Sequence, residues 1–148
     1  MPKTVFFLLS VMLSFCSFGQ EKVEWTVSYN SLSESITFTA KIAEGWHLYS
    51  QNIDETLGPV ATSFQFEENK KAFKLIGKTG EPTPITKYDP NFEGDLSFFE
   101  ESVQFIQKLK VKSSAEVKGS ITFMVCNAEM CLPPTDFDFN LIIDKNEK

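Results

Sequence analysis

The feature that most constrains the fold of this 148-residue chain is an alternation of apolar and polar side chains that recurs along it. An apolar side chain at every second position forms one face of a β-strand. The alternation predicts five long strands, at residues 23–29, 36–42, 103–111, 117–125 and 137–143. Three shorter strands are predicted at residues 46–51, 62–67 and 73–77. No segment has a sustained helical period, so the pattern predicts an all-β fold, an immunoglobulin-like β-sandwich of seven to nine antiparallel strands in two sheets.

One stretch of the chain lacks this alternation. Residues 80–94 contain three prolines and two glycines, a composition typical of a loop. Long loops in compact domains often carry function. We therefore predict a long, functional loop here.

The charge of the chain excludes one class of partner. It has 14 lysines, no arginine and 20 acidic residues, which gives a formal charge of −6. The lysines are scattered, and no guanidinium is present for bidentate contacts to phosphates or bases. The sequence therefore predicts no nucleic-acid binding, and it disfavours an anionic membrane surface.

The first residues are typical of a secretory signal peptide. Lys3 precedes an apolar stretch that is shorter than the ~20 residues of a membrane span, and Ser17 and Gly19 are small residues suited to a cleavage site. We predict a signal peptide at residues 1–19 and a single mature domain at residues 20–148. The mature chain has no further stretch long and apolar enough to span a membrane.

Cleavage there removes Cys16 and leaves an even pair, Cys126 and Cys131, in an exported protein. Export exposes this pair to oxidising conditions. In the alternative, Cys16 would be kept as a lipidated first residue. That alternative is disfavoured because Phe15 is bulky where lipoprotein processing requires a small residue.

The cysteine pair is the strongest chemical feature of the mature chain. In the strand predicted at residues 117–125 the odd positions are apolar, so Cys126 should point away from that row and should not be a core residue. Four residues between the cysteines are enough for a turn that brings them together. A disulfide closing so short a ring removes little chain entropy, roughly 2 kcal/mol against ~3 for a fifteen-residue loop.

Three roles remain open for this pair on spacing alone. A disulfide can pin a hairpin, or it can take part in redox exchange. A zinc site is the third role, and it would need His47 and a carboxylate from elsewhere in the chain.

Two motifs together carry a family resemblance. Residues 125–134 read Val-Cys-Asn-Ala-Glu-Met-Cys-Leu-Pro-Pro, and residues 45–50 read Gly-Trp-His-Leu-Tyr-Ser. This combination resembles the N-terminal periplasmic domain of the thiol:disulfide interchange protein DsbD, over about residues 23–143.

The resemblance implies an immunoglobulin-like periplasmic domain without a cofactor and with a redox-active cysteine pair. Such a domain passes electrons from a thioredoxin-like, membrane-linked donor to oxidised exported proteins, with a link to cytochrome c biogenesis. Thioredoxin-fold proteins are the implied partners.

The resemblance also implies roles for individual residues. Cys131 would be the attacking sulfur and Cys126 the resolving one. Phe92, in the loop of residues 89–94, would cap the disulfide. Tyr49 and His47 correspond to a pair of active-site aromatic residues and would face the sulfurs.

Three titratable residues could support this chemistry. His47 could tune a thiol or accept its proton. Asp89 and Glu93 could disfavour a thiolate through nearby negative charge, although solvated loop carboxylates are the simpler interpretation. Some family members carry an acidic pair where this chain has Pro90 and Asn91.

A different class of function remains as an alternative. The sandwich could be a non-enzymatic binding module with a structural disulfide and an aromatic contact surface formed by Trp46, Tyr49 and Tyr88. The reduction potential of the disulfide distinguishes the two functions, because a structural bridge resists reduction.

Overall fold

A computed structural model describes residues 21–145 of the chain, whose regular secondary structure is almost entirely β-strand. Eleven strands lie within this part of the chain: β1 Val23–Asn30, β2 Ser35–Ile42, β3 His47–Tyr49, β4 Ser63–Phe66, β5 Phe73–Gly80, β6 Ile85–Asp89, β7 Gly94–Phe99, β8 Ser102–Val111, β9 Ala115–Phe123, β10 Val125–Cys126 and β11 Thr135–Ile143. A single 3-10 turn, Glu55–Leu57, follows β3. The all-β prediction is confirmed.

The strands form three antiparallel sheets, in the orders β1-β2-β8-β5, β11-β9-β4 and β10-β3-β7-β6. Side chains from all three sheets meet in one main core. Trp25 of β1 lies within aromatic contact distance of Phe64, Phe105, Phe123 and Phe137, which come from β4, β8, β9 and β11. These contacts bury the apolar faces that the alternation predicts.

Strand β8 shows the link between pattern and burial most simply. Every second side chain of Ser102–Val111 is buried and the others are exposed. One polar residue, Gln107, occupies this buried row, and its amide donates to Gly77 O at 3.3 Å and accepts from Thr79 Oγ1 at 2.9 Å. Its burial is thereby compensated at the irregular part of β5.

The third sheet presents its two faces to two different apolar clusters. Leu48 of β3, Phe99 of β7 and Val125 of β10 belong to the main core. The opposite face carries a second cluster, which we call the outer cluster; its buried members are Tyr49, Leu96, Phe98 and Cys126. Neighbouring residues of a strand point to opposite faces, so they belong to different clusters. The face of this sheet that carries the outer cluster also carries Cys126.

The prediction of a long loop at residues 80–94 is wrong for the central part of that segment. Residues Ile85–Asp89 form β6, which pairs with β7 in register from Ile85↔Phe98 to Asp89↔Gly94. Two short stretches without strand remain, residues 81–84 before β6 and residues 90–93 between β6 and β7. β6 is an edge strand with side chains exposed at four of its five positions, so it lacks the alternation of a half-buried strand.

The structure has more strands, and one more sheet, than the sequence indicated. The predicted strand at residues 117–125 is divided at Met124 into β9 and β10, which belong to different sheets. The predicted signal peptide lies outside the described residues. Within residues 21–145 no helix has the length and apolar character needed to cross a membrane.

Candidate functional site

Cys126 and Cys131 form a disulfide, with their Cα atoms 4.0 Å apart. Asn127 builds the turn between them. Its backbone N–H donates to Met130 O at 2.9 Å, and its side-chain oxygen accepts from the N–H groups of Glu129 and Met130 at 2.9 and 2.8 Å. This Asx-type turn fixes the backbone of the ring independently of the sulfur atoms.

The two cysteines differ in exposure. Cys126 is 0% exposed, whereas Cys131 is half-buried and follows Met130, which is 50% exposed. The expected orientation of Cys126 away from the main core is correct. The expectation that it would not be a core residue is wrong, because a second apolar cluster covers the other face of the sheet.

His47 and Tyr49 lie on the same face of the sheet as Cys126. His47 is directly opposite Cys126 in the β3–β10 pairing, and directly opposed side chains in antiparallel strands have Cβ atoms about 4.5–5.5 Å apart. The His47 ring lies 4.5 Å from that of Phe98 and 5.2 Å from that of Tyr49, between centroids.

Asp89 joins these residues in a buried network. It is only 2% exposed. Its Oδ2 accepts from Tyr49 Oη at 2.6 Å and from His47 Nε2 at 3.2 Å, and its Oδ1 accepts the Asn91 backbone N–H at 2.8 Å. Because an ionised carboxylate only accepts, His47 Nε2 carries the proton and Nδ1 of the neutral ring keeps a free lone pair.

The ionisation of the network follows from burial and these hydrogen bonds. Burial opposes the charge of Asp89, but the hydrogen bonds from Tyr49 and Asn91 outweigh it and hold the pKa of the carboxyl below its usual value. Burial lowers the pKa of His47 below its usual value despite the opposing effect of Asp89. Burial and the Asp89 contact raise the pKa of Tyr49 strongly. At neutral pH the network therefore contains neutral His47, neutral Tyr49 and ionised Asp89.

We predict that His47 makes the oxidised protein less stable in weak acid. The unfolded chain binds a proton to His47 near its usual pKa of about 6.5, and the folded chain binds it only at lower pH. The free energy of unfolding should therefore fall as pH drops below about 6.5, at no more than ~1.4 kcal/mol per pH unit, until the folded pKa is passed.

Urea unfolding from roughly pH 8 to pH 5 measures this effect. His47→Phe is the matched variant, and its stability should change less across the same range. Equal pH dependence of both proteins would contradict a neutral His47 in the fold.

Phe92 lies in the turn between β6 and β7. It is half-buried, packs against the outer cluster and meets the Tyr49 ring edge-on at 6.0 Å between centroids. A Cβ on Gly58, which has a φ of 119°, would lie 3.1 Å from Phe92 Cδ1. The backbone after the 3-10 turn thus supports the Phe92 ring from the side.

The structure does not bring all predicted site residues together. Glu93 is exposed in a left-handed conformation, with a φ of 53°, and is not part of the network around Asp89. Tyr49 is 0% exposed and Trp46 is half-buried, so these two and Tyr88 do not form a shared aromatic surface.

The sequence pattern did not reveal that Phe98, which precedes Phe99 in β7, lies beside His47. The adjacent positions of Phe98 and Phe99 in one strand were the available signal, because neighbouring strand residues point to opposite faces. In the described part of the chain, no three His, Cys, Asp or Glu side chains are grouped as metal ligands would be.

Comparisons with known proteins identify a family and a fold. The sequence model of the family described as the N-terminal domain of the thiol:disulfide interchange protein DsbD matches residues 17–142. No curated protein matches the chain.

Three solved structures are similar in fold. The reduced N-terminal domain of DsbD from Neisseria meningitidis has a TM-score of 0.63 at 17% identity, over 83% of this chain and 86% of that one. The complex of the DsbD and PilB N-terminal domains from the same species has a TM-score of 0.60 at 16% identity, over 82% and 84%. The N-terminal periplasmic domain of ScsB from Proteus mirabilis has a TM-score of 0.56 at 22% identity, over 80% of this chain and 44% of that one.

Proposed function

The chain belongs to the family of the DsbD N-terminal domain, and on this premise we propose that it is an exported thiol-disulfide exchange module. It would pass electrons between a thioredoxin-like donor and oxidised exported proteins through Cys126 and Cys131. The observation that carries the proposal is a disulfide between a fully buried cysteine and a half-buried one, whose ring is hydrogen-bonded to the residue before Phe92.

The difference in burial supports separate roles for the two sulfurs. In the reduced protein the Cys131 thiolate attacks one sulfur of a partner disulfide, and the other partner sulfur leaves as a thiolate that takes up a proton. Cys126 then loses its proton and attacks the Cys131 sulfur, which releases the second partner thiolate. The partner gains two electrons and two protons, and the domain is left with the Cys126–Cys131 disulfide.

His47 is suited to a supporting role in the second attack. It lies opposite Cys126, and the free lone pair on Nδ1 of the neutral ring can accept a thiol proton. Tyr49 and Asp89 hold the ring in that tautomer. The charge of Asp89 would also disfavour thiolate formation without a partner.

Phe92 would exclude other thiols and disulfides by covering the pair until a partner displaces the loop. Thioredoxin-fold proteins are the proposed partners. A solved complex between the DsbD and PilB N-terminal domains supports protein partners for this fold.

The proposed location is the periplasm. Residues 1–19 would act as a signal peptide and residues 20–148 as the mature single domain, without lipid attachment at Cys16. The apolar N-terminal stretch, with Lys3 before it and Ser17 and Gly19 near its end, supports this proposal.

The reduction potential of the disulfide tests the function. We expect a value of about −180 to −270 mV, which is the range of exchange-active pairs, from equilibration against glutathione or dithiothreitol followed by thiol trapping. A potential below about −300 mV would favour the alternative, a binding module with a structural disulfide.

A further inference from the structure

Two polar residues, Asp89 and Asn91, attach the turn that carries Phe92 to the rest of the molecule. Asp89, at the end of β6, bonds to Tyr49 and His47 of β3. Asn91 bonds through its side-chain Nδ2 to the backbone carbonyl of Asn127 at 2.9 Å, inside the ring closed by the disulfide. The second attachment connects the loop of residues 89–94, which we call the cap, directly to the ring closed by the disulfide.

The chemistry of the Asn91 contact defines its direction. A carbonyl oxygen only accepts, so the amide nitrogen of Asn91 must face it and donate. Phe92 is the next residue, and consecutive Cα atoms are about 3.8 Å apart. Fixing Asn91 therefore fixes the point from which the Phe92 side chain reaches the outer cluster.

We propose that Asn91 is a positioning residue that latches the cap to the disulfide ring and thereby sets how often the cysteine pair is uncovered. The inference rests on the proposed exchange function. The latch makes opening of the cap less favourable in the free domain. A docked protein partner can compensate for the lost bond with its own contacts, and a small reagent cannot.

The latch should slow the reduction of the disulfide and leave its redox equilibrium unchanged. Asn127 holds its turn through its own side chain and backbone, so its carbonyl stays in place when the sulfur–sulfur bond opens. The same bond can then form over the oxidised and the reduced pair. Loss of one ordinary hydrogen bond should raise the open population about fivefold.

The test compares Asn91→Ala and Asn91→Asp with the wild-type chain in the rate at which tris(carboxyethyl)phosphine reduces the disulfide. The phosphine gives two electrons to the disulfide and takes oxygen from water, while the two sulfurs take up protons. Both variants should be reduced about fivefold faster, or more, because both lack the donor. The equilibrium against dithiothreitol should stay within about twofold.

Asn140→Ala is the matched control. Asn140 is an exposed asparagine on β11 whose amide donates to Glu116 Oε1 at 3.3 Å, away from the cap. The disulfide of the Asn140→Ala variant should be reduced at the same rate as that of the wild type.

Two results would overturn the latch. The first is a set of reduction rates that does not follow the donor, with either neither variant or only Asn91→Ala reduced faster. In the latter case the loss of side-chain bulk, rather than of the donor, would be responsible. The second is a shifted dithiothreitol equilibrium, because Asn91 would then act on the energy of the ring itself. A potential below about −300 mV would instead refute the exchange function, while the ratio of rates among the variants would still report on the latch.

Discussion

Cys126→Ser is expected to form a covalent adduct with a thioredoxin, whereas Cys131→Ser is expected to form very little. In Cys126→Ser the remaining sulfur belongs to the half-buried Cys131, and no second thiol is present to resolve the mixed disulfide. In Cys131→Ser the remaining sulfur belongs to Cys126, which is 0% exposed. We expect the rates to differ by at least about tenfold, which corresponds to ~1.4 kcal/mol in the barrier.

A single-cysteine thioredoxin carrying thionitrobenzoate on its sulfur is the probe. Attack by the domain releases coloured thionitrobenzoate, and the adduct is then identified by mass spectrometry and is cleaved by dithiothreitol. In concentrated urea both variants should react at similar rates, because the difference arises from the fold.

Faster reaction of Cys131→Ser would reverse the roles of the two sulfurs. Failure of both variants in the native state, with reaction in urea, would favour a structural disulfide.

The sequence predicted those parts of the fold in which burial follows the strand period. β8 is the simplest case, since alternate side chains enter the core along its whole length. β6 could not be found in this way, because an edge strand with both faces largely exposed needs no apolar row. Its position depends on pairing with β7, which local sequence does not reveal.

Strand parity also predicted which way Cys126 points, but not that it is buried. Alternation reports the two faces of one strand and says nothing about what covers the second face. Here the outer cluster covers it, with Tyr49, Leu96 and Phe98 from two other strands.

Asp89 shows most clearly what the sequence could not show. As a residue beside Pro90 it resembles a solvated turn carboxylate, yet it is 2% exposed. Its burial depends on Tyr49, which lies 40 positions earlier and donates its hydroxyl proton. Glu93, four residues later in the turn between β6 and β7, lies outside this network and stays exposed.

Asp89→Ala is expected to lower the free energy of unfolding of the oxidised protein by about 3 kcal/mol. The substitution removes a charged acceptor and leaves the buried Tyr49 hydroxyl without its 2.6 Å partner. Asp89→Asn keeps an oxygen that can accept this bond, and it should cost about 1 kcal/mol. Urea unfolding monitored by tryptophan fluorescence measures these losses.

Asp95→Ala is the control, because Asp95 is an exposed aspartate in the same hairpin and its replacement should change stability by less than about 0.5 kcal/mol. Tyr49→Phe closes a double-mutant cycle with Asp89→Ala. If the Tyr49–Asp89 bond holds Asp89 at the start of the cap, the double variant should lose less stability than the sum of the two single losses. The difference should be about 1.5–3 kcal/mol, the range for a bond to a charged group. Additive losses would mean that the bond does not hold the cap. Burial of Asp89 would then follow from backbone pairing of β6 with β7 alone.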